Sequence, residues 1–273
     1  PAFYSCRRRA FYNHFGNQKT APRETITHFI FYVFLMKIFN FLSIPKKFAF
    51  DILFPPICLG CSKDINEDKY LCDLCRNKIF INSAFFCPVC RLRLADQKII
   101  CRHEGAPRYI LGAATDYNNP VINNLIHYFK YEGFEKIAPL LSEFLIEFLN
   151  RAKFSAENFI LIPIPLHSSR ERQRGYNQSK LLAEILSDKL NIKLIDGIKR
   201  VKKTAPQAQA KKSEDREKNV SGCFKVLDQN KIENRNILLI DDVFTSGATL
   251  NDAVKVLRKS GARKIAALVV ARA

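Results

Sequence analysis

Residues 237–250, ILLIDDVFTSGATL, run four apolar residues into Asp241 and Asp242 and then into Thr245, Ser246, Gly247, Ala248 and Thr249. At the start of a helix, unpaired backbone amides carry a partial positive charge, and with the hydroxyls of Thr245, Ser246 and Thr249 they can cradle a phosphate monoester. Gly247 lets the backbone approach the phosphate oxygens closely. Paired carboxylates repel a second phosphate but accept hydrogen bonds from two vicinal hydroxyls. A phosphate on one side and a diol on the other describe a ribose 5-phosphate. An acid-capped strand followed by an ordinary helix start would account for each part, but not for their order.

A second concentration of chemistry lies upstream. Seven of the nine cysteines fall between Cys58 and Cys101, and the spacing of Cys58, Cys61 and Cys72 recurs 29 residues later in Cys87, Cys90 and Cys101. This is an internal repeat. A Cys-x-x-Cys knuckle presents two thiolates on one side of a turn, and two facing knuckles complete the tetrahedral shell that zinc prefers. Cys58, Cys61, Cys72 and Cys75 form a complete set. In the second copy Glu104 stands where the fourth cysteine belongs, and the adjacent His103 can supply a nitrogen instead. Closed four-ligand sites leave no open position for catalysis, so the ribbon is expected to be structural or a partner-binding surface. Buried structural cysteines or a redox pair would not recur at a fixed period.

The elements that must position the 237–250 stretch follow from periodicity. Leu141, Phe144, Leu145 and Phe148 after Pro139, and Leu181, Leu182, Ile185 and Leu186 after Asn177, have helical spacing. FILIPIP (159–165), IKLI (192–195), NILLI (236–240) and KIAALVV (264–270) read as strands. Strands alternating with helices imply an α/β fold with a mainly parallel sheet covered on both faces, and ligands bind such sheets at the carboxyl ends of the strands. Asp241 and Asp242 stand at such an end, and the helix that follows turns Leu250, Ala253, Val254 and Leu257 inward. Residues 199–221 are polar and read as a long loop of the kind that often covers active sites.

At this point the stretch resembles the 5-phosphoribosyl-1-diphosphate motif of type I phosphoribosyltransferases. PIPLHSSRERQRGYNQ (163–178), FKYEG (129–133), and Gln207, Arg216 and Asn219 in the loop narrow the resemblance. With the cysteines they look like the ComF family, competence proteins with an N-terminal double zinc ribbon. The resemblance covers about residues 45–273. It implies that Asp241 and Asp242 hold the ribose hydroxyls, that Thr245, Ser246, Gly247, Ala248 and Thr249 hold the 5-phosphate, and that Arg170 and Arg174 face the diphosphate. Lys130 and Arg216 are implied as further contributors, with Mg2+ accompanying the ligand and Zn2+ structural. Two roles follow. One is a binding module of DNA uptake that takes phosphoribosyl diphosphate or a related ligand together with single-stranded DNA, and has a competence helicase or other DNA-uptake proteins as partners. The alternative is an active phosphoribosyltransferase, a glycosyltransferase that passes ribose 5-phosphate to an acceptor and releases diphosphate.

Composition agrees with these classes. A chain of 273 residues, 47% hydrophobic, can bury a substantial core, and a formal charge of +18 favours anionic partners. The apolar run from Phe29 to Met36 is too short for a membrane span, which needs roughly 20 residues. Lys46 and Lys47 stand where a signal peptide would be cleaved. The expected compartment is the cytoplasm, where clustered thiols bind metal. Met36 is the only methionine and is read as the start of translation. The expected organisation is therefore a non-native extension over 1–35, an amphipathic segment over 36–54, a double zinc ribbon over 55–106 and a phosphoribosyltransferase-like domain over 107–273.

Overall fold

The computed structural model of the chain describes residues 57–65, 69–94, 101, 103–104, 108–202 and 222–273. The extension, the amphipathic segment, and Gln207, Arg216 and Asn219 lie outside the described residues. The described residues form two compact units that divide between Asn77 and Lys78.

The first unit contains the first cysteine set. Ile57 and Asp64 pair across a turn in which the Cys58 amide donates to Lys63 and the Ser62 amide to Cys58, and helix α1 (Asp73–Asn77) carries Cys75 inward. In the second unit the same turn recurs 29 residues on. Phe86 pairs with Arg93, the Cys87 amide donates to Leu92 and the Arg91 amide to Cys87. Ser62 and Arg91 occupy matching places with φ of 60° and 61°. The period read from three cysteines is thus a repeat of backbone geometry as well.

The second unit is built on a parallel four-stranded sheet in the order β1-β6-β5-β2, comprising β1 (Ile110–Asp116), β2 (Phe159–Pro163), β5 (Asn236–Phe244) and β6 (Lys264–Arg272). Its two central strands carry unbroken apolar runs, residues 237–240 of β5 and 265–271 of β6, as expected where both faces are covered. Helices α3 (Ala138–Arg151) and α5 (Gln178–Leu190) pack on the sheet, α5 against β2 and β5, and α3 against β1 and β6. Gly112 permits this approach, since a Cβ there would lie 2.6 Å from a Phe148 ring carbon. Helix α6 (Ala248–Lys259) turns Leu250, Ala253, Val254 and Leu257 into a core with Leu111, Ile237, Leu239, Ala267 and Val269. The described residues also form α2 (Pro120–Tyr131), the short α4 (Ser168–Arg174), an antiparallel pair β3 (Ile198–Arg200) and β4 (Phe224–Val226), and single 3-10 turns at Glu135–Ile137 and Gln229–Lys231. No helix among the described residues is long and apolar enough to cross a membrane.

Two expectations about strands need correction. IKLI forms only one parallel bridge, Leu194 to Leu161, because its backbone touches β2 through Lys193 and Ile195 alone. NILLI does not end before the aspartates. β5 continues through Asp241 and Asp242 to Phe244, held on one side by β6, whereas β2 stops at Pro163 opposite Ile240. The last bond from this strand runs from the Ile164 amide to the Ile240 carbonyl at 2.9 Å, and beyond it β5 overhangs β2. Likewise residues 199–200, expected in the loop, belong to β3.

Candidate functional site

The overhang of β5 sets the two carboxylates where β2 no longer pairs with it. Asp241 accepts from the Ser179 hydroxyl at 2.9 Å, and through the same oxygen from the Asp242 amide at 2.9 Å. Ser179 is available because Asn177 caps α5, accepting from the amides of Ser179 and Lys180, and so places the serine in the first turn. Asp242, only 8% exposed, pairs with the Lys130 ammonium at 2.9 Å. Lys130 lies in the last turn of α2. The carbonyl of Phe129 beside it accepts from the Tyr176 hydroxyl and, at 3.2 Å, from the Gln178 amide.

This crowding sets the charges. Burial pushes the Asp241 carboxyl up and its neighbour Asp242 adds to the push. Lys130, the Asp242 amide and the Ser179 hydroxyl oppose them, and the carboxyl settles at about 7. Burial works to lower the Lys130 ammonium, but Asp242 and Asp241 outweigh it and hold it above its ordinary value.

Beyond the overhang the chain turns through Thr245–Gly247 into α6. Gly247 adopts φ +80°, in the left-handed region, and a Cβ there would lie 2.9 Å from the Phe244 ring, so glycine is required on both counts. The Ser246 hydroxyl accepts from the Ala248 amide at 3.5 Å. Residues 245–249 therefore form a tight turn at the N-terminus of a twelve-residue helix, the arrangement that binds phosphate.

Arg170 and Arg174 lie on α4 rather than on an irregular turn. Arg174 donates to the Gln178 side chain at 3.0 Å and lies over the Tyr131 ring at 5.4 Å. Burial and the neighbouring charges of Arg200 and Arg174 hold the Arg170 guanidinium below its ordinary value. Arg200 is likewise lowered by burial, opposed by Cys223, Asp241 and Asp252. Of the three expected cations, Lys130 pairs directly with an aspartate, whereas Arg170 and Arg174 lie on α4 and Arg174 meets Gln178 and Tyr131 instead.

Sequence reasoning did not single out Ser179, Arg200 or Asp252. The Asp252 carboxylate, buried on α6, accepts from the amides of Gly222 and Cys223 at 2.8 Å and Phe224 at 3.3 Å, which fastens β4 to that helix. Asn177 announced a helix start, but no local pattern marks a serine that reaches Asp241 or an arginine that senses it.

The metal sets are assembled within each unit. In each of the sets Cys58, Cys61, Cys72, Cys75 and Cys87, Cys90, Cys101, His103, the ligand atoms all lie within 4.8 Å of one another. Glu104 is not in the second set, and His103 Nε2 lies 3.2 Å from the Cys87 sulfur. The donors fit zinc. Burial tends to raise the Cys58 thiol, but amides including those of Cys72 and Gly60, which donate to its sulfur at 3.3 and 3.4 Å, prevail and bring it to about 7, favouring thiolate.

Residues 49–109 match the double zinc ribbon domain and residues 177–273 the phosphoribosyl transferase domain. The chain is 32% identical to competence protein F of Haemophilus influenzae over 246 residues, covering 88% of this chain and all of the relative. It is 27% identical to competence protein ComFC of Bacillus subtilis, covering 75% and 90% respectively. To the DNA utilization protein YhgH of Escherichia coli O6:H1 it is 28% identical, covering 77% and 87%.

Proposed function

The chain belongs to the ComF family of competence proteins, a structural double zinc ribbon joined to a phosphoribosyltransferase domain, and on that premise we propose that it binds 5-phosphoribosyl-1-diphosphate or a close relative and handles single-stranded DNA during uptake. The observation that carries the ligand is the overhang of β5, which brings two carboxylates, a phosphate-type turn and a lysine into one short reach.

In this reading Asp241 and Asp242 take the ribose hydroxyls, and the amides and hydroxyls of residues 245–249 take the 5-phosphate. Arg170, Arg174 and Lys130 face the diphosphate, Lys130 leaving Asp242 as the sugar arrives. Arg216 is assigned to the same anion by resemblance alone. A magnesium ion would supply positive charge to the diphosphate, and the carboxylate oxygens of the pair are the hard donors such an ion prefers. The second partner rests on the formal charge of +18 and on relatives named for competence and DNA utilization. A single strand held by phosphate contacts would bind with steep salt dependence.

The test is a calorimetric titration with phosphoribosyl diphosphate and Mg2+, beside anisotropy titrations with a single-stranded oligonucleotide at several salt concentrations. Asp241→Asn with Asp242→Asn should abolish the first and leave the second intact. Wild-type protein that takes up no phosphoribosyl diphosphate would refute the ligand, and a double variant that loses DNA would show one shared site. Diphosphate release with a panel of nucleobases reads separately whether the ligand is consumed.

A further inference from the structure

We propose that Arg91 is a positioning residue for the phosphate turn, and that the second cysteine unit thereby shapes the anion site instead of only closing the fold. The inference rests on the reading of residues 245–249 as the phosphate-binding turn.

Arg91 directly follows Cys90, and its guanidinium forks. Nη1 donates to the Ala273 carbonyl and Nη2 to the Thr245 carbonyl, each at 3.3 Å. The backbone conformation of Arg91 belongs to the repeat, since Ser62 shares it in the first unit. The long, forked side chain does not, because the matching residue is a serine.

The second unit is a firm place from which to reach. Phe86 and Leu111 exchange reciprocal backbone hydrogen bonds at 2.8 and 3.0 Å, and the Asn82 amide and side chain donate to the carbonyls of Ala114 and Ala113, each at 2.9 Å. The turn therefore extends the edge of β1. The Arg272 guanidinium lies 4.0 Å from the centre of the Phe86 ring and joins the same unit to the end of β6.

A held Thr245 carbonyl matters because of peptide planarity. The Thr245 carbonyl and the Ser246 amide belong to one rigid plane and point in opposite directions. Fixing the carbonyl on Arg91 fixes the direction in which the Ser246 N–H is presented. The preceding plane is fixed as well, because the Ala273 amide donates to the Phe244 carbonyl at 2.9 Å. Two consecutive carbonyls at the end of β5 are thus held, one through β6 and one through Arg91, just before Gly247 turns the chain into α6. An anion site whose amides are already aimed loses less freedom on binding than one that must be ordered.

The discriminating variant is Arg91→Gly, which suits a φ of 61° and removes only the side chain. Nitrogen-15 relaxation of ligand-free protein should show greater backbone mobility at Ser246 and Gly247, with zinc content unchanged. Phosphoribosyl diphosphate with Mg2+ should bind roughly tenfold more weakly, as expected for losing hydrogen bonds from a charged donor. Arg91→Lys should recover part of the affinity, and Ser62→Gly, the same backbone change in the first unit, should leave it intact. Unchanged backbone mobility and affinity in Arg91→Gly, an equal loss in Ser62→Gly, or a loss that accompanies departure of zinc would each overturn the proposal. Wild-type protein that fails to bind the ligand would sink the reading of the turn, and backbone mobility at Ser246 would then decide the hold of Arg91 independently.

Discussion

Replacing Asp241 by asparagine should make the ligand-free protein more stable at pH 8. The carboxyl titrates at about 7 in the folded chain against an ordinary 3.8, first because it is buried and then because Asp242 lies beside it. Proton binding is therefore tighter in the folded state. The stability this group contributes is fully present below about pH 4 and is lost as pH rises through about 7. At full strength the difference is worth about 4 kcal/mol, and because the side chain is partly solvent-exposed a discounted figure of about 2 kcal/mol is appropriate. Asparagine keeps an oxygen for the Ser179 hydroxyl and the Asp242 amide, so the change removes the charge and little else. Melting curves of wild type and Asp241→Asn from pH 4 to pH 8 should coincide at the acid end. They should separate by roughly 4–8 °C at pH 8, the variant higher, at about 2–4 °C per kcal/mol for a unit of this size. Phosphoribosyl diphosphate with Mg2+ should then raise the wild type and leave the variant where it was. A gap that does not change with pH, or a variant that melts below wild type at pH 8, would refute the argument that Asp241 is strained by its surroundings.

Three further outcomes follow from the same geometry. Elemental analysis of freshly purified protein should give two zinc ions per chain, with one lost in Cys58→Ser and one in His103→Ala, since each set has four donors within 4.8 Å. Lys130→Met leaves Asp242 buried without its cation and should cost about 3 kcal/mol in chemical denaturation, most of it recovered when Asp242→Asn is added. Gly112→Ala drives a methyl group to 2.6 Å from the Phe148 ring and should destabilise the second unit by about 1–3 kcal/mol, measured by the same denaturation.

Much of this architecture was legible because it is written in local periods. The inward residues of α3 and α6 recur at helical spacing, and Leu141, Phe144, Leu145, Phe148, Leu250, Ala253, Val254 and Leu257 are all buried. The 29-residue period of the cysteines reappears as matched turns, and the slot left by Glu104 is filled by the adjacent histidine. What could not be read depends on partners remote in sequence. IKLI has the composition of a strand, but it lies against β2 at a single residue and has no second chance to pair. The end of β5 was misjudged because acidic residues read as a strand terminus when solvent is assumed. Beside β6 they are still in the ladder, and only the end of β2 frees them on the other side. β1 carries little periodic signal, since ILGAATD is small and buried on both faces.

The site divides along the same line. Asp241, Asp242 and Thr245–Thr249 lie within nine residues of one another, so the reading of their chemistry rests on sequence order alone. The side chains that touch these residues come from three other places in the chain: Lys130 on α2, Ser179 on α5 and Arg91 in the second cysteine set. None of these carries a local signature of its role, because a lysine ending a helix or an arginine following a knuckle is equally at home on a surface. Together they explain how a pair of carboxylates can persist on a buried strand without a bound ligand. Lys130 compensates one of them and proton uptake near neutrality relieves the other. In the proposed reading, sugar hydroxyls would offer these carboxylates the donors, and a magnesium ion the positive charge, that those two partners supply here.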